Sequence, residues 1–172
     1  LDSAWTREQL SRLATRDSLT GLRNRREMEA VLEKELSRSR RYDLPVSVLF
    51  IDCDDFKSIN DAYGHDCGDA FLCYLASQLE ALLREDDIVF RFAGDEFVIV
   101  LPNQSLDDAR GVGKRLRSHF AAHPMAWGEQ HIPVSFSLGV AGNEEPGMSD
   151  SGSLLRFADQ RLYEEKRLLA SR

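Results

Sequence analysis

No run of about eighteen apolar residues occurs anywhere in the 172-residue chain, so nothing in it reads as a membrane span and no membrane contact is expected of it. No signal-peptide pattern opens it. Basic residues are outnumbered, 22 Lys and Arg against 29 Asp and Glu, for a net charge of −7. That balance argues against a nucleic-acid partner, which needs a basic face. Cysteine is scarce and odd in number: Cys53, Cys67 and Cys73, with no C-x-x-C. A disulfide framework and a structural zinc site are both disfavoured, and reduced thiols in a cytoplasmic compartment are expected. Internal repeats and low-complexity tracts are absent too. The first residue is Leu1 rather than methionine, which suggests a piece of a longer protein.

What is present suits one globular domain. Apolar content is 42% and charged content 30%, enough for one substantial core at this length. Residues 1–15 read as the end of a linker helix arriving from an upstream sensory domain, with Leu1, Trp5, Leu10 and Leu13 at roughly helical spacing. Residues 16–172 form the domain itself. Asn24 with Glu27 three residues on reads as a helix cap, and the helix runs to about Arg41. PVSVLFID, 45–52, is a buried strand. DDFKSIND follows as a short helix or turn, and AYGHDCGD as a loop. A helix spans about Asp66 to Leu83, with Phe71, Leu75 and Leu79 on one stripe. A hairpin turns at AGDEF, then a helix covers 106–120. A second hairpin turns at Gly128 and leads into a long strand from about His131 to Ala141. The last helix, about Ser153 to Leu169, should turn Leu154, Leu155, Ala158, Leu162 and Tyr163 inward. This order implies an α+β fold: a central, mostly antiparallel sheet flanked by helices.

The chemistry gathers around acids. Asp52 closes a strand, and Asp95 and Glu96 sit at a hairpin tip. If the hairpin lies beside that strand, three carboxylates converge at one sheet edge and repel each other. A divalent cation removes that repulsion, and oxygen-only ligands suit Mg²⁺ or Mn²⁺ with phosphate oxygens completing the shell. A solvated acidic turn explains an isolated D-E pair equally well. Lys57 is placed to neutralise a phosphate, and Asn60 and Asp69 supply an amide and a carboxylate that can together read guanine. As plain structure, Lys57 is a surface charge, Asn60 a cap and Asp69 a helix-start acid.

Taken together, AGDEF, FKSINDAYGHDCGD and RDSLTGLRNRR resemble the GGDEF family, the diguanylate cyclases of bacteria, from about Arg16 to Lys166. The resemblance implies a palm-like nucleotide cyclase fold and the condensation of two GTP to cyclic di-GMP with release of two pyrophosphates. It implies a homodimer, because each domain holds one GTP and two domains must face each other. By the same resemblance Asp52, Asp95 and the backbone carbonyl of Cys53 hold metal, two Mg²⁺ or Mn²⁺ ions per active site. Glu96 joins them as a ligand or as the base. Asn60 and Asp69 recognise guanine, and Phe56, Lys57, Gly94 and Lys166 line the substrate. Arg84-Glu85-Asp86-Asp87 matches the family's R-x-x-D inhibitory site for product, supported by Arg91 and Arg115. Arginine forks suit both phosphate and guanine.

Two departures bear on activity. Ala93 stands where the family motif has its first glycine; a positive φ there would cost alanine about 1–2 kcal/mol. Past Lys166 the family's glycine-arginine-asparagine stretch is replaced, with Ala170 at the arginine's place and Arg167 or Arg172 as substitutes. The competing readings are a degenerate receptor that binds cyclic di-GMP without turnover, and a GTP-binding regulatory module.

Overall fold

Val46–Cys53 (β2) is seven-eighths buried by its pattern and hydrogen-bonds on both edges, as an apolar β-branched run should. The structure, a computed structural model, describes residues 2–171; Leu1 and Arg172, both invoked above, lie outside the described residues. In chain order the other elements are α1 (Asp2–Thr15), β1 (Arg23–Asn24), α2 (Arg25–Tyr42), α3 (Phe56–Tyr63), α4 (His65–Leu82), β3 (Ile88–Ala93), β4 (Glu96–Pro102), α5 (Leu106–Ala122), β5 (Met125–Trp127), β6 (Gln130–Ile132), β7 (Phe136–Gly142) and α6 (Ser151–Ala170). The main sheet runs β1-β3-β4-β2-β7. Only the two-residue β1–β3 pairing is parallel, so the sheet is mixed but mainly antiparallel.

Alternation along β2 builds two cores. Leu49, Ile51 and Cys53 face α4 and α5, meeting Phe71, Leu75, Leu79, Val112, Leu116 and Phe120. Val46, Val48 and Phe50 face the other way, toward Met28, Leu32 and Leu36 of α2 and Leu154, Ala158 and Leu162 of α6. The Asn24 cap forms as expected, its Oδ1 accepting from the Glu27 N–H at 3.2 Å. Among the described residues no helix is long and apolar enough to cross a membrane.

Three expectations are corrected. AYGHDCGD is not a loop: it holds the end of α3 and the start of α4, separated only by Gly64, whose φ of +92° breaks the helix in one residue. The long strand 131–141 is two strands, because Pro133 has no N–H for a sheet ladder. Its first part pairs with β5 as a separate two-stranded sheet and its second part joins the main sheet. Tyr163 is 63% exposed rather than inward. Trp5, Leu10 and Leu13 of α1 are exposed as well.

Candidate functional site: an acidic sheet edge

The β2–β4 register sets Asp52 directly opposite Glu96, so both side chains leave the same face. Asp95 sits in the turn between β3 and β4, and its carbonyl accepts from the Cys53 N–H at 3.1 Å, tying the turn to the end of β2. Gly94, the first turn residue, has φ +37°, as a two-residue hairpin with a positive φ at that position demands. Ala93 is not among the residues with positive φ; it ends β3 in register with Glu96.

The three acids strain one another. Burial, then the neighbouring Asp52 carboxylate, pushes the Asp95 carboxyl up. Burial, then Asp52, Asp95 and Asp159, does the same to Glu96. One cation answers them: Lys166 Nζ lies 2.9 Å from Asp52 Oδ2. Burial acts to lower the Lys166 pKa, but the Asp52 hydrogen bond and the charges of Asp52, Asp54 and Asp95 together outweigh it and the amine is raised. Among the described residues no three His, Cys, Asp or Glu side chains are gathered as a ready-made metal cage. The donor set still fits Mg²⁺ or Mn²⁺, which are commonly held by one or two carboxylates with phosphate oxygens completing the shell. The Cys53 thiol is buried in the core and its pKa pushed well up, chiefly by burial, so only its backbone carbonyl suits a hard cation.

The rest of the candidate site follows from where α3 starts. Asp54 turns away from the cluster: its carboxylate accepts from the hydroxyls of Ser135 at 2.9 Å and Ser137 at 2.7 Å. Asp55 takes φ +55° and α3 begins at the next residue, placing free N-terminal amides close in sequence to Asp52, where a phosphate is favoured. Lys57 is exposed, and the Phe56 ring lies 6.0 Å from Phe71 at the core margin. Asn60 on α3 is half-buried and Asp69 on α4 exposed.

The expected inhibitory residues are only partly brought together. Asp87 Oδ2 accepts from the Arg84 N–H at 2.9 Å and its Oδ1 from Gln104 at 2.7 Å. Burial is the main cause that raises the Asp87 carboxyl. Arg84 joins Arg16, Arg23 and Asp87 around a concavity of about 270 Å³. Arg115 lies on the exposed face of α5. Arg91 is directed elsewhere: its guanidinium binds Asp17 at 3.1 Å and the Gly94 carbonyl at 3.0 Å. Sequence reasoning missed Asp17, Asp54, Ser135, Ser137 and Arg25, whose guanidinium lies 4.1 Å over the Phe92 ring. Each acts through a partner distant in sequence, so no local pattern marks it.

Three acids at the ends of β2 and β4, an adjacent lysine and a helix start are thus gathered at one place. The family described as diguanylate cyclase, GGDEF domain, matches residues 14–171, and the chain belongs to it. It is 39% identical over 161 residues to a diguanylate cyclase of Vibrio cholerae, covering 94% of this chain and 49% of that protein. It is 39% identical over 156 residues to the response regulator PleD of Caulobacter vibrioides, covering 90% of this chain and 34% of that one. The chain thus spans half or less of the length of these relatives. Among solved structures, the coiled coil and GGDEF domain of DgcB from Caulobacter crescentus, in complex with c-di-GMP, superposes with a TM-score of 0.87 at 25% identity, covering 96% and 87% of the two chains. Diguanylate cyclase SiaD from Pseudomonas aeruginosa, in complex with its activator SiaC, superposes with 0.83 at 33% identity, covering 96% and 63%.

Proposed function

We propose that this domain is a metal-dependent diguanylate cyclase. Two GTP molecules, one on each of two facing domains, condense to cyclic di-GMP. Each 3′-oxygen forms a bond to the other nucleotide's α-phosphorus, the bond from that phosphorus to the bridging oxygen breaks, and pyrophosphate leaves. The observation that carries the reading is Asp52 facing Glu96 across β2–β4, with Asp95 beside them and Lys166 bound to Asp52.

Asp52, Asp95 and Glu96, with the Cys53 carbonyl, would hold Mg²⁺ or Mn²⁺, two ions per active site. The metal supplies charge neutralisation on the phosphates and orients the attacking oxygen. Glu96 serves either as a further ligand or as the base that takes the 3′-hydroxyl proton. Lys166 releases Asp52 and moves to a phosphate, with Lys57 and the α3 amides on the others. Phe56 and Gly94 flank the nucleotide, and Asn60 and Asp69 read its guanine. Positioning and charge neutralisation carry most of such a transfer. Product binds back at Arg84 and Asp87 and inhibits, with Arg115 in support. An upstream sensory domain brings two copies together in the cytoplasm; the free cysteines agree with that compartment.

The test is incubation of the concentrated domain with GTP and Mg²⁺, or Mn²⁺ in parallel, with products identified by mass. Cyclic di-GMP that disappears in Asp95→Asn supports the cyclase. No product, even with dimerisation enforced and bound cyclic di-GMP stripped, overturns it in favour of a cyclic di-GMP receptor.

A further inference from the structure

We infer that Gly68 sets the guanine selectivity of this domain by positioning Asn60; the inference rests on the reading of Asn60 and Asp69 as the guanine subsite. Gly68 is buried in the first turn of α4. A Cβ placed on it would lie 1.8 Å from Asn60 Oδ1, 2.9 Å from Asn60 Cγ and 3.3 Å from Phe56 Cζ. The carboxamide and the phenyl ring therefore both rest on the Gly68 backbone. The Asn60 main chain is fixed, its carbonyl accepting from the Gly64 N–H at 2.8 Å. Among the described residues its carboxamide makes no hydrogen bond. Contact with Gly68, rather than a polar partner, fixes where the amide points: Oδ1 packs on Gly68 and the Nδ2 donor is left for a ligand.

The neighbouring position in sequence is Asp69. Guanine offers N–H groups to a carboxylate and a carbonyl to an amide; adenine offers the reverse at its six-position. Discrimination then depends on the amide keeping its place. A methyl group at 68 occupies the place of Asn60 Oδ1. The atom it displaces is the end of a flexible side chain, so the backbone need not move. Alanine is also a better helix residue than glycine. Gly68→Ala should therefore fold well and bind badly, the reverse of ordinary core damage.

The experiment compares wild type, Gly68→Ala, Asn60→Ala and the double variant. It reads Tm, binding of a non-hydrolysable GTP analogue with Mg²⁺, KM and kcat for GTP, and binding of the matching ATP analogue. For Gly68→Ala the expected result is GTP-analogue affinity and KM weakened about tenfold, kcat little changed, preference over the ATP analogue reduced, and Tm equal or higher. The double variant should be no worse than Asn60→Ala alone, since both act through one amide. Wild-type affinity and selectivity in Gly68→Ala, with Asn60→Ala impaired, overturns the inference but leaves the guanine subsite standing. Lowered Tm with additive losses overturns it as well, showing structural damage. Intact binding in Asn60→Ala removes the guanine subsite and the inference with it, while cyclase activity lost in Asp95→Asn would still stand.

Discussion

The alanine at position 93 shows how much a single residue's backbone angle decides. A glycine in a motif marks either positive φ or a close approach, and the sequence alone leaves both open. Only Gly94 of the pair takes positive φ, while Ala93 ends β3 opposite Glu96, just past a register shift between Arg91 and Ala93. The alanine therefore costs nothing in conformation, and it removes glycine's excess freedom in the unfolded chain. Ala93→Gly should lower stability by about 0.5–1 kcal/mol in urea denaturation and leave cyclic di-GMP formation within about twofold, since Asp52, Asp95 and Glu96 are untouched. A large gain in turnover would mean that the methyl group obstructs nucleotide. The acids themselves were legible through the motifs around them, AGDEF and FKSINDAYGHDCGD, since a solvated acidic turn explains an isolated D-E pair equally well. Asp54 was not separable from them by type. Only the two serines of the β7 approach, 81 and 83 residues away, show that its carboxylate is already occupied.

At the scale of elements, the segment after α1 is wired to the β3–β4 hairpin. Asp17 accepts from the Thr20 amide at 2.8 Å and from Arg91, and Arg91 in turn holds the Gly94 carbonyl. Both charged side chains are under a fifth exposed, 18% and 19%, so solvent screens the pair little. Asp17→Asn should cost about 1–2 kcal/mol and reduce kcat severalfold by loosening the turn; unchanged kcat with the stability loss would confine the link to folding. A second charged contact fixes α6. Arg161 donates to Glu145 at 2.7 and 2.9 Å and to the Val140 carbonyl at 2.6 Å. Hydrogen bonds from Arg161 are the main cause that lowers the Glu145 carboxyl below its ordinary 4.5. A carboxyl with a lowered folded-state pKa stabilises above its unfolded value and loses that contribution as pH falls through the folded one. Glu145→Gln should thus reduce Tm at pH 7, with the difference from wild type shrinking as pH drops below about 4.5; a pH-independent difference would mean that packing rather than charge is lost. The element order was readable from periodicity and caps. The Pro133 break was readable too, but a run of alternating apolar residues on both sides masked it. Strand β1 was not readable, because two residues carry no period and the pairing partner, Arg23↔Phe90 and Asn24↔Arg91, is far along the chain.

For the whole molecule, the candidate site lies at the ends of two interior strands, β2 and β4, and in the proposed reaction it holds one nucleotide. Asp52, Asp95 and Glu96 are only partly buried, so the cluster is open to a second nucleotide held by a second copy. Turnover must then follow the concentration of paired domains rather than of chains. The net charge of −7 opposes that pairing through mutual repulsion. The proposed two-copy reaction carries a kinetic signature. At saturating GTP and Mg²⁺, in the presence of a trap that removes cyclic di-GMP, activity per chain should rise in proportion to protein concentration at low concentration. It should level off once dimers predominate. Fusing a strong parallel coiled coil in place of α1 should move that plateau to lower concentration by the factor expected of an intramolecular encounter, an effective concentration in about the millimolar range, without changing its height. Activity per chain that stays constant over a hundredfold dilution would show one copy completing the reaction alone. The two-copy chemistry would then be wrong, whatever the identity of the product.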